Sequence, residues 1–197
     1  MFFQQSLELV AMYISRQNRS GTGFDIEVGK EMLGRLRSLE WLYARVVELE
    51  GQLIADYESI HGTLQPNTNV VLVYLAHIPE VAEPFTPQEE LRILAEAFYH
   101  CAYRLLVILK QCGDVLPGLR SVEAIGIRRV RNNLIEHANK KGGRASYTFS
   151  VSNAAGIRFR SAALAAEPDA YLDEGLRANA SELRSSLGAL FRSVQAA

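Results

Sequence analysis

A chain of 197 residues that is 48% hydrophobic and 22% charged is long enough to bury one core without disulfide or metal staples. Its formal net charge of −1 argues against a protein that coats nucleic acid nonspecifically, so any contact with a polyanion has to be local. Cys101 and Cys112, the only two cysteines, are too few for a disulfide framework and lack metal-ligand spacing, so reduced thiols and no metal or other cofactor are expected.

The opening Met-Phe-Phe-Gln-Gln-Ser-Leu-Glu has neither the positive start nor the cleavage site of a signal peptide. The longest apolar run, Val70 to Ala76, falls far short of the roughly 20 residues that span a bilayer, so a cytoplasmic protein with no membrane anchor is expected. Leu7, Val10 and Ile14 share one face of a helix over about residues 4–15, inside an N-terminal arm of residues 1–24 that ends in the loop Arg16 to Gly23.

Asp25 can cap the next helix, the first of the core helices assigned to residues 25–142. There Met32, Leu36, Leu39, Tyr43, Val46, Leu49, Leu53, Tyr57 and Ile60 keep spacings of three and four without a break. At 1.5 Å per residue this element is about 50 Å long, with Gly51 the point where a bend would fall. Such a length favours a bundle whose other helices lie along it. Arg35, Glu40, Arg45 and Glu48 mark the opposite face as solvated.

Gly62, Pro66, Pro79 and Pro84 interrupt residues 61–86, and the β-branched run Val70 to Tyr74 between them predicts a short strand, although a buried helical turn fits the same pattern. Thr86-Pro87-Gln88-Glu89 then supplies an N-cap, a proline at the first helical position and a capping-box glutamate. Leu91, Leu94, Phe98, Ala102, Leu105 and Leu109 form the stripe of that helix, which ends before Gly113.

Ser121 offers a cap for a further helix, where Ile127, Val130, Leu134 and Ala138 recur as an apolar stripe until Asn139 and Gly142-Gly143 end it. Past Gly143 the pattern turns to alternation, with Tyr147, Phe149 and Val151 answered by Ile157 and Phe159 across Ser152 to Gly156. That is a β-hairpin signal, assigned to residues 145–161. Arg158 and Arg160 alternate with its apolar residues and read as the solvent side of a half-buried ribbon, an extension of a positive surface being the second option. Leu172, Leu176, Leu183, Leu187, Leu190 and Val194 are the stripe of a final helix over residues 169–195. The whole reads as one mainly α domain over residues 1–197, an antiparallel helical bundle with a small β-hairpin after the basic helix.

Chemistry concentrates in residues 128–144, where Arg128, Arg129, Arg131, Lys140, Lys141 and Arg144 stand against the single acid Glu136. Such local asymmetry in a near-neutral chain points to a polyanionic ligand. On a helix Arg131 and His137 sit roughly 120° apart around the axis and about 9 Å apart along it, so neither covers the other. Asn133 and His137 share a face, which lets the amide orient the imidazole or join it on a ligand.

Arg131-Asn132-x-x-x-x-His137 on a late helix of an all-helical chain resembles the arginine-to-histidine motif of HEPN domains, in which a polar residue commonly follows the arginine. Within that superfamily it looks like proteins carrying an Arg-Asn-x-Leu-Ile-Glu-His signature, most closely over residues 128–139 and more loosely over residues 25–137. The resemblance implies a helical domain and, in many members, a metal-independent endoribonuclease acting as a homodimer. On that basis Arg131, His137 and Asn132 are the candidate catalytic residues. Arg128, Arg129, Asn133, Lys140, Lys141 and Arg144 are the candidate RNA-binding residues. RNA, a second copy of the chain and an antitoxin protein in a toxin–antitoxin or defence context are the candidate partners. The alternative is a catalytically inactive helical module that binds a protein partner or a nucleotide.

Other chemistries lack support. Gly23-x5-Gly29-Lys30-Glu31 has the wrong spacing for a phosphate loop, and a glutamate stands where a magnesium-binding hydroxyl is required. There is no Gly-x-Ser-x-Gly elbow, His-Glu-x-x-His pair or Cys-x-x-Cys. His61, beside Gly62 at a helix end, suits the helix dipole better than catalysis, and His77 and His100 have no partner legible from sequence.

Overall fold

The computed structural model describes residues 1–21, 25–65, 70–72, 86–112, 124–132, 147–161 and 173–196. It is mainly helical, with α1 (Gln4–Ser20), α2 (Ile26–His61), α3 (Pro87–Cys112), α4 (Ile125–Val130) and α5 (Leu176–Ala196). A small sheet is made of β1 (Val70–Leu72), β2 (Tyr147–Ser152), β3 (Gly156–Ser161) and β4 (Asp173–Gly175).

The long helix forms as its periodicity predicts and is continuous through Gly51. Asp25 accepts from the Glu27 backbone N–H at its start, while Met32, Leu36, Leu39, Val46 and Leu49 are buried along one side. The capping box of α3 is formed in both directions, Glu89 N–H to Thr86 Oγ1 at 3.2 Å and Thr86 N–H to Glu89 Oε2 at 2.8 Å. Arg45 reaches Glu90, Cys101 Sγ reaches the Arg35 carbonyl and Arg104 approaches Glu31. Residue numbers rise on one helix as they fall on the other, so α2 and α3 pack antiparallel.

Three boundaries differ from the sequence reading. The first helix runs on to Ser20, closed by Gly21 at φ 64°, because nothing in Arg16-Gln-Asn-Arg-Ser opposes helix and glycine supplies the left-handed stop. Residues 173–175 are a strand, so the last helix begins at Leu176 and not at 169: the Asp-Glu-Gly backbone pairs with β3, in register Arg160↔Asp173 and Arg158↔Gly175. The stretch expected as one long helix from Ser121 is helical over Ile125–Val130 and widens into a π turn at residues 131–132, while Ser121 and residues 133–146 lie outside the described residues.

The hairpin occurs where the alternation puts it, but as the centre of a four-stranded antiparallel sheet in the order β1-β2-β3-β4. Strand is the resolution of the ambiguous run at Val70, over Val70–Leu72. Phe149, Val151, Ile157 and Phe159 are buried, and the Phe159 ring meets that of Tyr99 on α3 edge-on at 5.5 Å. From β4 the chain enters α5, which runs beside α1 in the same direction: Arg184 lies over Phe2, and Phe191 packs against Tyr13.

Two carboxylates expected in water, or not singled out at all, prove structural. Glu40, assigned to a solvated face, accepts the backbone N–H groups of both Phe2 and Phe3 and so holds the start of α1 on α2. Glu50 is fully buried and accepts the Ile157 N–H at 2.6 Å and Arg177 Nε and Nη2 at 2.9 and 2.7 Å. Burial pushes the Glu50 carboxyl up, against the pull of the Ile157 amide and Arg177. Gly156 turns the hairpin at φ 64°, and a Cβ there would fall 2.5 Å from both Arg177 Nε and Glu50 Oε1. Only glycine satisfies both demands.

Candidate functional site

The basic segment is positioned by what lies behind it. Ala124, Ile127 and Val130 are buried, and a Cβ on Gly126 would stand only 2.7 Å from Asn179 Cγ and Glu174 Oε2. A bare backbone therefore lets α4 seat directly on β4 and α5. Asn179 in turn donates to the Tyr99 hydroxyl at 3.0 Å, so the surface under α4 is itself fixed to α3.

This seating sorts the arginines. Arg129 turns back to Glu174, with Nη1 to Oε1 at 3.6 Å. Arg128 and Arg131, three positions apart on one helical face, turn toward α3. The Arg131 guanidinium lies 4.2 Å from the centroid of the Tyr103 ring, and its Nη1 donates to Asn132 Oδ1 at 3.0 Å. A guanidinium stacked on an aromatic face and bonded to the next side chain has little rotamer freedom left to lose.

Two adjoining concavities open on either side of Tyr103. One, of about 590 Å³, is walled by Arg35, His100, Tyr103, Arg104 and Arg131. The other, of about 450 Å³, is walled by Tyr103, Lys110, Gln111, Arg128 and Asn132. On α3 the contributors His100, Tyr103, Arg104, Val107, Lys110 and Gln111 recur at three and four residues, a stripe about 15 Å long beside the buried one. Glu31 sits at one end, 3.4 Å from Arg35 and 3.9 Å from Arg104. These pairs are some 40–56% exposed, and ion pairs so wetted are weak enough for a phosphate to displace.

Of the residues singled out from sequence, the structure brings together Arg128, Arg131 and Asn132 on this groove and directs Arg129 elsewhere. His137, Asn133, Lys140, Lys141 and Arg144 lie outside the described residues. Sequence reasoning missed Arg35, His100, Tyr103, Arg104 and Lys110. For the four on α3 the signal was present as its polar stripe, and Arg35 read only as part of the solvated face of α2, but no local rule says which helix will face the motif. The β3 arginines do not extend the groove: Arg158 and Arg160 both donate to Asp173 Oδ1, at 2.9 and 3.3 Å. Cys101 and Cys112 are buried and free, and burial raises both thiols. His61 is exposed at the end of α2, its ring 4.5 Å from that of Tyr57. His77 lies outside the described residues.

Among the described residues, no set of three or more His, Cys, Asp or Glu side chains is arranged to hold a metal, and no helix is long and apolar enough to cross a membrane. The fold and site define a helical protein with a small sheet and a cationic groove between its third and fourth helices. Comparison with known proteins finds no family model, no curated protein and no solved structure that matches the chain.

Proposed function

We propose that the chain is a HEPN-like, metal-independent endoribonuclease acting as a homodimer, with Arg131 and His137 of both copies lining one cleft. The observation that carries the reading is the setting of Arg131, held by Tyr103 and Asn132 beside a groove walled by further cations. A cation fixed in advance where negative charge will develop lowers a barrier without reorganising during the reaction.

In this mechanism His137 takes the proton of an RNA 2′-hydroxyl, the 2′-oxygen attacks the adjacent phosphorus, and the bond to the 5′-oxygen breaks. The leaving oxygen receives a proton from an imidazolium. Arg131 offsets charge on the nonbridging oxygens, and Asn132 keeps its guanidinium aligned. Arg128, Asn133, Lys140, Lys141 and Arg144 hold the flanking phosphates. The products end in a 2′,3′-cyclic phosphate and a 5′-hydroxyl. An antitoxin protein would act by covering the same basic surface.

A second reading, a module that grips a nucleotide without cutting, is favoured by Arg131 being already engaged by Tyr103 and Asn132, since a fixed guanidinium serves binding as well as catalysis. One experiment separates the two. Wild-type chain in EDTA is expected to cleave single-stranded RNA but not DNA, and His137→Ala to lose about a hundredfold or more in rate with its circular dichroism unchanged. Undiminished cleavage by that variant removes the mechanism. Wild-type chain that binds RNA and never cuts it leaves the second reading standing.

A further inference from the structure

We infer that the solvent face of α3 is a binding track for the backbone of single-stranded RNA, running from the pocket of Arg35 and Arg104 past Tyr103 to Lys110 and Arg128. The inference rests on the proposed function for its choice of ligand and adds to Arg128 and Arg131 a face of α3 that the motif does not contain.

Three observations carry it. First, cations line both concavities, Arg104 on one side of Tyr103 and Lys110 on the other, and both are exposed. Second, each concavity falls within the roughly 300–1,000 Å³ typical of small-ligand sites, so each has room for a nucleotide and not merely for an ion. Third, both concavities are lined by Tyr103, and the Arg131 guanidinium lies over its ring at 4.2 Å from the centroid. Alternation of phosphate-binding cations with a flat π surface matches the chemical repeat of a polynucleotide, in which charged backbone alternates with stackable bases. An acidic peptide offers the charge but not the bases. The flat platform therefore favours RNA over a protein segment. Val107 supplies an apolar floor shared by the two pockets, and His100 adds a second ring to the first of them.

The test measures binding apart from cleavage. Fluorescence anisotropy of a short labelled oligouridylate is read in the His137→Ala background, so that cutting does not deplete the probe. Replacing Arg104 and Lys110 together by alanine is expected to weaken binding about tenfold or more and to make the salt dependence shallower by about 0.7 per cation lost. Arg37→Ala removes an exposed cation of α2 that lines neither concavity, and is expected to leave affinity unchanged. Unaltered binding in the double variant overturns the track, as does an equal loss from Arg37→Ala. Displacement of the probe by polyglutamate as readily as by unlabelled oligouridylate overturns the choice of RNA over an acidic protein, and failure of the parent to bind the probe overturns the inference outright. Cleavage by the chain with His137 intact is scored separately. A chain that cuts RNA but binds it equally well without Arg104 and Lys110 keeps the proposed activity and loses the track. A chain that binds along the track and never cuts does the reverse.

Discussion

Arg158 and Arg160 on β3 share one acid, whereas Arg128 on α4 and Arg131 just past its end turn toward a groove where the described cations outnumber the acids. In sequence the two pairs look alike. What separates them is the period of the element that carries them and the element laid beside it. A strand sets residues two apart on the same side, and β4 brings Asp173 against both. A helix sets residues three apart on the same side, and α3 meets them with Tyr103 and Lys110. Arginine content therefore does not mark a polyanion surface until the neighbouring strand or helix is known. Arg177 is a third case, tied to the wholly buried Glu50.

The largest break in this comparison is expected at Glu50. Glu50→Ala removes the carboxylate that satisfies both the Ile157 N–H and Arg177; a buried amide left without its acceptor, together with the lost bonds to a partly exposed Arg177, costs about 3 kcal/mol, to be read from urea unfolding. Gly126→Ala comes next. The added methyl pushes α4 off Asn179 and Glu174, lowering stability by about 1–3 kcal/mol and displacing Arg128 and Arg131, so RNA affinity should fall along with the unfolding midpoint. An unchanged affinity in that variant would detach the seating of α4 from the groove.

Asp173→Asn should be the smallest, about 0–1 kcal/mol, because its arginine partners are about a third exposed. Its signature is the pH dependence. Burial works to raise the Asp173 carboxyl, but hydrogen bonds from Arg158 and Arg160 outweigh it and hold the group below its ordinary 3.8. Its contribution is thus present above 3.8 and lost as pH falls through the depressed folded value. Glu50 runs the other way: raised from 4.5, its contribution is full below that value and is lost as pH rises through the elevated folded one. Unfolding midpoints across the acid range should show Asp173→Asn losing less stability than wild type on the acid side of 3.8.

Elements whose determinants are local were legible. Thr86 to Glu89 states its own capping box, the long helix repeats its stripe for ten turns, and Gly156 closes a hairpin between alternating strands. Glu50 was not legible. It lies beside Leu49 at the edge of an apolar stripe, and its partners are 107 and 127 residues away, beyond the reach of any periodicity. For the same reason the sequence showed the cations of the motif helix but not the face of α3 that meets them. β4 was missed because Asp-Glu-Gly has the composition of a turn and becomes strand only by pairing with β3.

One carboxylate in the second half of the longest described helix is also a junction in time. Glu50 gathers a hairpin amide and an α5 guanidinium across the largest sequence separations among the hydrogen bonds described, so that clasp pays the entropy of closing two long loops before it returns any energy. Helix pairing between α2 and α3 can precede it. The sheet and the last helix would then lock down together, as the late and slow phase of folding.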